Sequence, residues 1–325
     1  MNHTKKTFIQ IFFIICLTLL KSQADALDLS LESAIGYNDN VPKISEKQGS
    51  GFSLYQVNIS QPLKLNISTL ETSIFAQGAY NDYFRVRDNY YLNAGAAFSL
   101  PLYNARIIPG IFSDILVFRD NFLEKDSKNE LSAGISAQWI LSARTTLGIR
   151  QTWQWSDYIE DTAPFPGFSP HNENTAENKY KMDKQPGPAD NLLESRDDRI
   201  QTTGIEGIYY FSPELHADFL AEHTRVDSSI DIESYKENKI SGYLVKTISS
   251  LWEFSLAGSF GHSDYKSIPG RNDRQDTTWN TQIRCTYFIK SLELRFQYQW
   301  EYNDSDEINE SYHQQVTQCG LIFSF

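Results

Sequence analysis

The chain has 325 residues, 40% apolar, 22% charged and 14% aromatic, with a formal charge of −12. This composition excludes a bundle of membrane helices, which needs repeated apolar runs of about 18 residues or more. The 20 Phe, 18 Tyr and 6 Trp argue against wholesale disorder, and a mean hydropathy of −0.44 still admits a transmembrane β-barrel, whose alternating faces average to a soluble-looking value.

The N-terminus reads as an export signal. Lys5 and Lys6 precede an apolar core from Phe8 to Leu20 that is too short to span a bilayer, and Ala24-Asp25-Ala26 is a small-x-small cleavage site. Residues 1–26 are therefore expected to be removed after Ala26, leaving 27–325. Cys16 lacks the small residues that a lipoprotein site needs just before it. Losing Lys5, Lys6, Lys21 and Asp25 takes the charge from −12 to −14. A chain this acidic is a poor partner for nucleic acid, which selects clustered bases.

The rest lacks a long amphipathic helix and alternates with period two, the pattern of strands with two unlike faces. Strands are predicted near 27–37, 51–61, 69–80, 90–100, 106–119, 129–141, 145–156, 199–211, 215–226, 236–247, 252–262, 277–289, 292–302 and 311–325. The alternation is weakest in the first two, the fifth and the tenth. It is clearest in the thirteenth, where Leu292, Leu294, Phe296, Tyr298, Trp300 and Tyr302 oppose Glu293, Arg295, Gln297, Gln299 and Glu301. Short connections follow even strands, as at Ser142 to Arg144 and Lys290 to Ser291. Longer polar ones follow odd strands, the longest running from Asp157 to Asp198. The expected fold is all-β: a transmembrane antiparallel up-and-down barrel of about 14 strands, with 12 and 16 left open, short periplasmic turns and long outer loops. A soluble sandwich would alternate too. Aromatics near segment ends (Trp153/Trp155, Tyr209/Tyr210/Phe211, Trp300/Tyr302, Phe323/Phe325) favour the barrel, as girdles at two membrane interfaces.

The last strand, with Leu321, Phe323 and a terminal Phe325 on one face, resembles the C-terminal strand of bacterial outer-membrane β-barrel proteins. That resemblance implies delivery by the barrel-assembly machinery through Phe325, residence in outer-membrane lipid and lipopolysaccharide, and a porin-like architecture without a specific family. The opening Gly36-Tyr37-Asn38-Asp39-Asn40 is similar to the start of several porin-like and secretion-linked barrels.

Alternation places Arg150, Glu206, Asp218, Glu222, Glu253, Arg284, Glu293, Arg295 and Glu301 on the polar face, as candidate pore-lining residues. Charged groups there need water or partners, so they either line an aqueous pore or form a network that plugs it. Small polar-face residues on strands three to six (Ser73, Asn93, Gly95, Ala97, Ser99, Ser132, Gly134, Ser136) are expected to leave space. The 157–198 loop is a candidate constriction, with Phe165, Phe168, Lys179, Lys181 and Lys184 supplying bulk and charge. Cys285 and Cys319 fall on apolar faces with a strand between them. Two strand spacings are about 9.5 Å, beyond the roughly 7 Å limit for a disulfide, so both are expected to be free, lipid-facing thiols.

Catalysis needs a nucleophile beside a positioned base. His262-Ser263-Asp264 is the most suggestive group, but neighbours in a strand face opposite ways and His262 shares the apolar phase. His216 shares the inward phase of its strand with Asp218 and Glu222. No metal spacing, P-loop or dinucleotide fingerprint is present, and neither metal nor cofactor is expected. The leading expectation is an outer-membrane channel for passive passage of small hydrophilic solutes or ions. The alternatives are the barrel of a secretion or surface-assembly system, or an outer-membrane hydrolase.

Overall fold

Serine hydroxyls set the tightest corners of the chain. In the computed structural model Ser142, Ser212 and Ser249 each accept the backbone N–H two residues on, from Arg144 (3.1 Å), Glu214 (3.3 Å) and Leu251 (3.2 Å). Each serine stands at a register shift where an even-numbered strand turns into the next. A hydroxyl that mimics a backbone turn bond, beside a bulge that tightens twist, reverses the chain in few residues.

The structure describes residues 27–43, 45, 47–63, 70–121, 126–159, 196–266, 274–307 and 310–325. The expected signal peptide and the constriction candidates Phe165, Phe168, Lys179, Lys181 and Lys184 lie outside them. The strands are β1 (Asp28–Asn38), β2 (Ser50–Leu63), β3 (Glu71–Tyr83), β4 (Asn89–Ser99), β5 (Ile107–Asp120), β6 (Lys128–Ser142) and β7 (Thr145–Tyr158). They continue as β8 (Asp197–Ser212), β9 (Leu215–Ser228), β10 (Tyr235–Ser249), β11 (Trp252–Tyr265), β12 (Gln275–Ile289), β13 (Leu292–Ser305) and β14 (Tyr312–Ser324). Each pairs antiparallel with its sequence neighbours, and β1 pairs with β14 to close a 14-strand barrel. Closure leaves no sheet edge, the condition for backbone groups in lipid. The expected fold and strand number hold, but the alternation of short and long connections does not hold throughout: β4–β5, after an even strand, is joined by 100–106. The β3–β4 connection, expected to be long, is only 84–88. There the Tyr80 hydroxyl bonds Asp88, the Tyr83 N–H donates to Asp88 Oδ1 at 3.2 Å, and Asn81 and Asn89 pair at 2.8 Å.

The burial pattern is that of a soluble protein turned inside out. Ile35, Ile111, Ile115, Ile205, Ile240 and Ile283 are all at least half exposed. Many of the buried residues are polar, among them Asn40, Ser50, Glu130, Asp198 and Gln314. Exposed apolar area costs about 25 cal/mol per Å² in water, and a continuous apolar belt is stable only against lipid. Tyr209 and Phe211 stand on the belt with ring centroids 4.9 Å apart. Tyr210, grouped with them from the sequence, turns inward instead and lies 5.2 Å from the His216 ring, because single-residue alternation must separate neighbours.

Cys285 and Cys319 are both free. Each pairs in register with Phe296 of β13, from opposite sides. Mass spectrometry of unreduced protein is expected to find two alkylatable thiols in the mature chain; a Cys285–Cys319 bridge would contradict this strand order.

Candidate channel lumen

Which face is inner follows from curvature. On the concave face side chains two strands apart converge; on the convex face they diverge. Arg150 of β7 meets Glu222 of β9 at 2.6 Å, passing over β8. The residue between them in register is Gly204, where a Cβ would lie 3.2 Å from both Arg150 Cγ and Nε. The missing side chain is what lets the guanidinium cross the strand. Arg295 of β13 also reaches across β14, to Glu32 of β1 at 3.4 Å, and takes Glu293 of its own strand at 3.4 Å. These contacts define one inner face, continuous in register around the barrel.

The other polar-face candidates from the sequence fall on this same face. Arg284 is held by Gln297 (3.2 Å) and Gln282 (3.5 Å). Glu301 takes Lys43 at 2.8 Å, the Tyr312 hydroxyl at 2.5 Å and Asn280 at 3.5 Å. Glu206 folds back over Gly148, where a Cβ would lie 2.7 Å from its Cγ. Asp218 stands opposite Tyr243 and Ile208, and its Oδ1 is shut off from solvent without a hydrogen-bond donor. Glu253 sits near the short-turn end, between Thr247 and Thr286. Glu206 and Asp218 share a cavity of about 520 Å³, lined also by Gln138, Ser241, Tyr243 and Asn280.

One expectation changes. The small residues of β3 to β6 do not simply leave space: the Phe75 ring lies over Gly95, and the Phe112 ring over Gly134. The missing side chains at these glycines are what the phenyl tips occupy. The Gly36 to Asn40 segment, similar to the start of several porin-like and secretion-linked barrels, also has a local structural task. Asp39 exchanges two backbone-directed bonds with Gln315, at 2.6 Å and 3.0 Å. Asn40, fully buried, donates to the His313 carbonyl at 3.1 Å. Gln314 donates to Asn38 Oδ1 at 3.0 Å and to the Asn40 carbonyl at 2.7 Å. The segment locks β1 to β14 at the long-loop end of the seam.

Other inner charges were missed. Glu32, Asp114, Glu237 and Lys239 stand on the inner face by register, all on strands with weak alternation. The mouth carries a repeated clasp. Arg196 grips Asp198 with two nitrogens (3.1 and 2.7 Å) and lies over the Tyr158 ring at 4.4 Å. Arg274 does the same with Asp276 (3.0 and 2.6 Å) and Tyr265 (4.1 Å). Burial works to lower the pKa of Arg196, but the Asp198 bond and the nearby Tyr158 and Glu233 outweigh it, so the pKa lies above its ordinary value. The signal was legible as Arg-x-Asp opening a strand after a Tyr that closes the previous one.

The hydrolytic candidates do not assemble. His262 lies 3.3 Å from Thr277 and 3.5 Å from Asp264 on the outer face, whereas Ser263 faces inward opposite Asp276 and Glu237. His216 packs on Tyr210. Among the described residues no group of three or more His, Cys, Asp or Glu is placed to hold a metal ion.

Fold and lumen together define the class: a closed β-barrel of the bacterial outer-membrane type. No family model and no curated protein sequence matches the chain. Among solved structures it is similar to a bacterial polysaccharide outer membrane secretin, at 12% identity over 94% of this chain and 100% of that one, with a TM-score of 0.49. It is similar also to an outer membrane channel from Pseudomonas putida F1, at 9% identity over 92% and 95%, with a TM-score of 0.46. A third is an anion-selective porin from Comamonas acidovorans, at 10% identity over 92% and 98%, with a TM-score of 0.44.

Proposed function

We propose that the mature chain is an outer-membrane channel that passes small hydrophilic solutes or ions by diffusion, without catalysing a reaction. What carries the reading is the direction of the inner ion pairs. Arg150–Glu222 and Arg295–Glu32 lie along the wall. Among the described residues no ion pair joins opposite walls. A plug built from the strands' own side chains would need such cross-lumen pairs, because charges facing a dry interior must find partners. A 14-strand barrel is also wider than the eight-strand kind that side chains fill. In this reading the N-terminal segment directs export, Phe325 is read by the barrel-assembly machinery, and the apolar belt sits in outer-membrane lipid and lipopolysaccharide.

The test is conductance. Purified, heat-modifiable protein in planar bilayers is expected to give discrete current steps. A correctly folded barrel that stays electrically silent overturns the reading.

A further inference from the structure

The inner wall is not balanced in charge. Several of its acids are neutralised in place: Glu222 by Arg150, Glu32 and Glu293 by Arg295, Glu301 by Lys43, Glu130 by Lys128. The mouth acids Asp198 and Asp276 are held by Arg196 and Arg274. On the inner face without an ion pair among the described residues stand Asp114, Glu206, Asp218, Glu237 and Glu253, with Asp28 and Glu71 near the short-turn end. Against them stand only Arg284, which is bonded to glutamines, and Lys239. The surplus is spread around the lumen, on β1, β3, β5, β8, β9, β10 and β11, so it acts as a field along the path.

The surroundings amplify that field. The wall outside is a low-dielectric belt of isoleucine, leucine and aromatic residues, and such walls focus field lines into a water-filled cleft and enrich counter-ions by tenfold or more. Glu206 and Asp218 lie together in the 520 Å³ cavity. Asp218 Oδ1 has no donor to offset its charge. Gln138, Ser241 and Asn280, on the same cavity wall, bring amide and hydroxyl groups but no cation.

From this we infer that the lumen is selective for cations, with Glu206 and Asp218 the residues that set the preference. The inference rests on the channel reading and deepens it by naming the class of permeant: inorganic cations and small amine-bearing solutes in preference to anions.

The experiment is a reversal potential across a planar bilayer holding the full mature protein in a potassium chloride gradient. The wild-type sign is expected to be that of a cation-selective pore, with potassium several times more permeant than chloride. Glu206→Gln with Asp218→Asn is expected to lower that ratio at least about twofold. Raising the salt from about 0.1 M to about 1 M, which shortens the screening length from about 10 Å to about 3 Å, is expected to weaken the preference. Current steps with a zero or anion-type potential overturn the selectivity and leave the channel standing; the absence of current overturns the channel itself. If the double variant does not fold, the wild-type potential and its salt dependence still decide, and either single variant replaces the double. A folded double variant with an unchanged ratio removes Glu206 and Asp218 as its source.

Discussion

Asn40→Ala is expected to make the barrel open at lower urea, by about 1–3 kcal/mol, the usual loss when a buried polar group is left without its partner. Asn40 is fully buried just beyond β1, and its side chain donates to the His313 carbonyl at 3.1 Å. Removing it leaves that carbonyl to find another donor at the one place where the barrel is joined by strands from opposite ends of the chain. The neighbouring Gln314, whose amide bonds Asn38 Oδ1 and the Asn40 carbonyl, is expected to behave alike as Gln314→Ala. The measurement is the urea concentration at which the fast-migrating folded band on an unheated gel is lost. Ser212→Ala, which removes exposed turn bonds, serves as the comparison and is expected to stay within about 0.5 kcal/mol of wild type. An Asn40→Ala midpoint no lower than that of Ser212→Ala would remove the Gly36 to Asn40 segment from the seam.

The second large effect concerns the charge pair over Gly204. Arg150→Ala is expected to move the reversal potential further toward cations, because Glu222 loses the partner 2.6 Å away. A bare unit charge about 8 Å from an ion in water contributes about 0.5 kcal/mol, roughly a twofold change in permeability ratio. Arg150→Ala with Glu222→Gln is expected to return close to wild type, since the pair leaves together; that cycle isolates the interaction from other effects of the substitution. Gly204→Leu tests the geometry from the other side. A side chain there meets Arg150 at Cγ and Nε, so it is expected to displace the guanidinium and reproduce the Arg150→Ala shift. Arg295→Ala, which frees Glu32 and Glu293, is expected to shift in the same direction. A reversal potential unmoved by both arginine substitutions would take them off the ion path.

The strongest strand signals and the weakest had one physical origin. From Leu292 to Tyr302 β13 alternates cleanly because its outward residues are apolar or aromatic and its inward ones polar, so Glu293, Arg295 and Glu301 were legible as inner. β5 mixes the two: Phe112 and Leu116 face inward with Asp114, by register with Gly134, Glu130 and Ser132. β10 sets Lys236 and Asn238 on the outer phase, beside the inward Glu237 and Lys239. Alternation blurs where the lumen carries phenyl rings or the outer face nears its polar rim. Asp114, Glu237 and Lys239, missed from the sequence, lie on those strands; Glu32 lies on β1, and Lys128 and Glu130 lie at the long-loop end of β6.

The sequence by itself determined the barrel class, the face of each residue on the clean strands and the separation of the two mature cysteines. Side-chain direction in a strand has a period of two, and loop lengths are written in the chain. It did not determine which charges neutralise one another. Arg150 and Glu222 are 72 residues apart and Arg295 and Glu32 are 263 apart. They meet because the closed sheet curves, and for Arg150 because Gly204 in the intervening strand leaves room. Only that curvature decides which acids remain unpaired in the lumen, and with them the sign of its field.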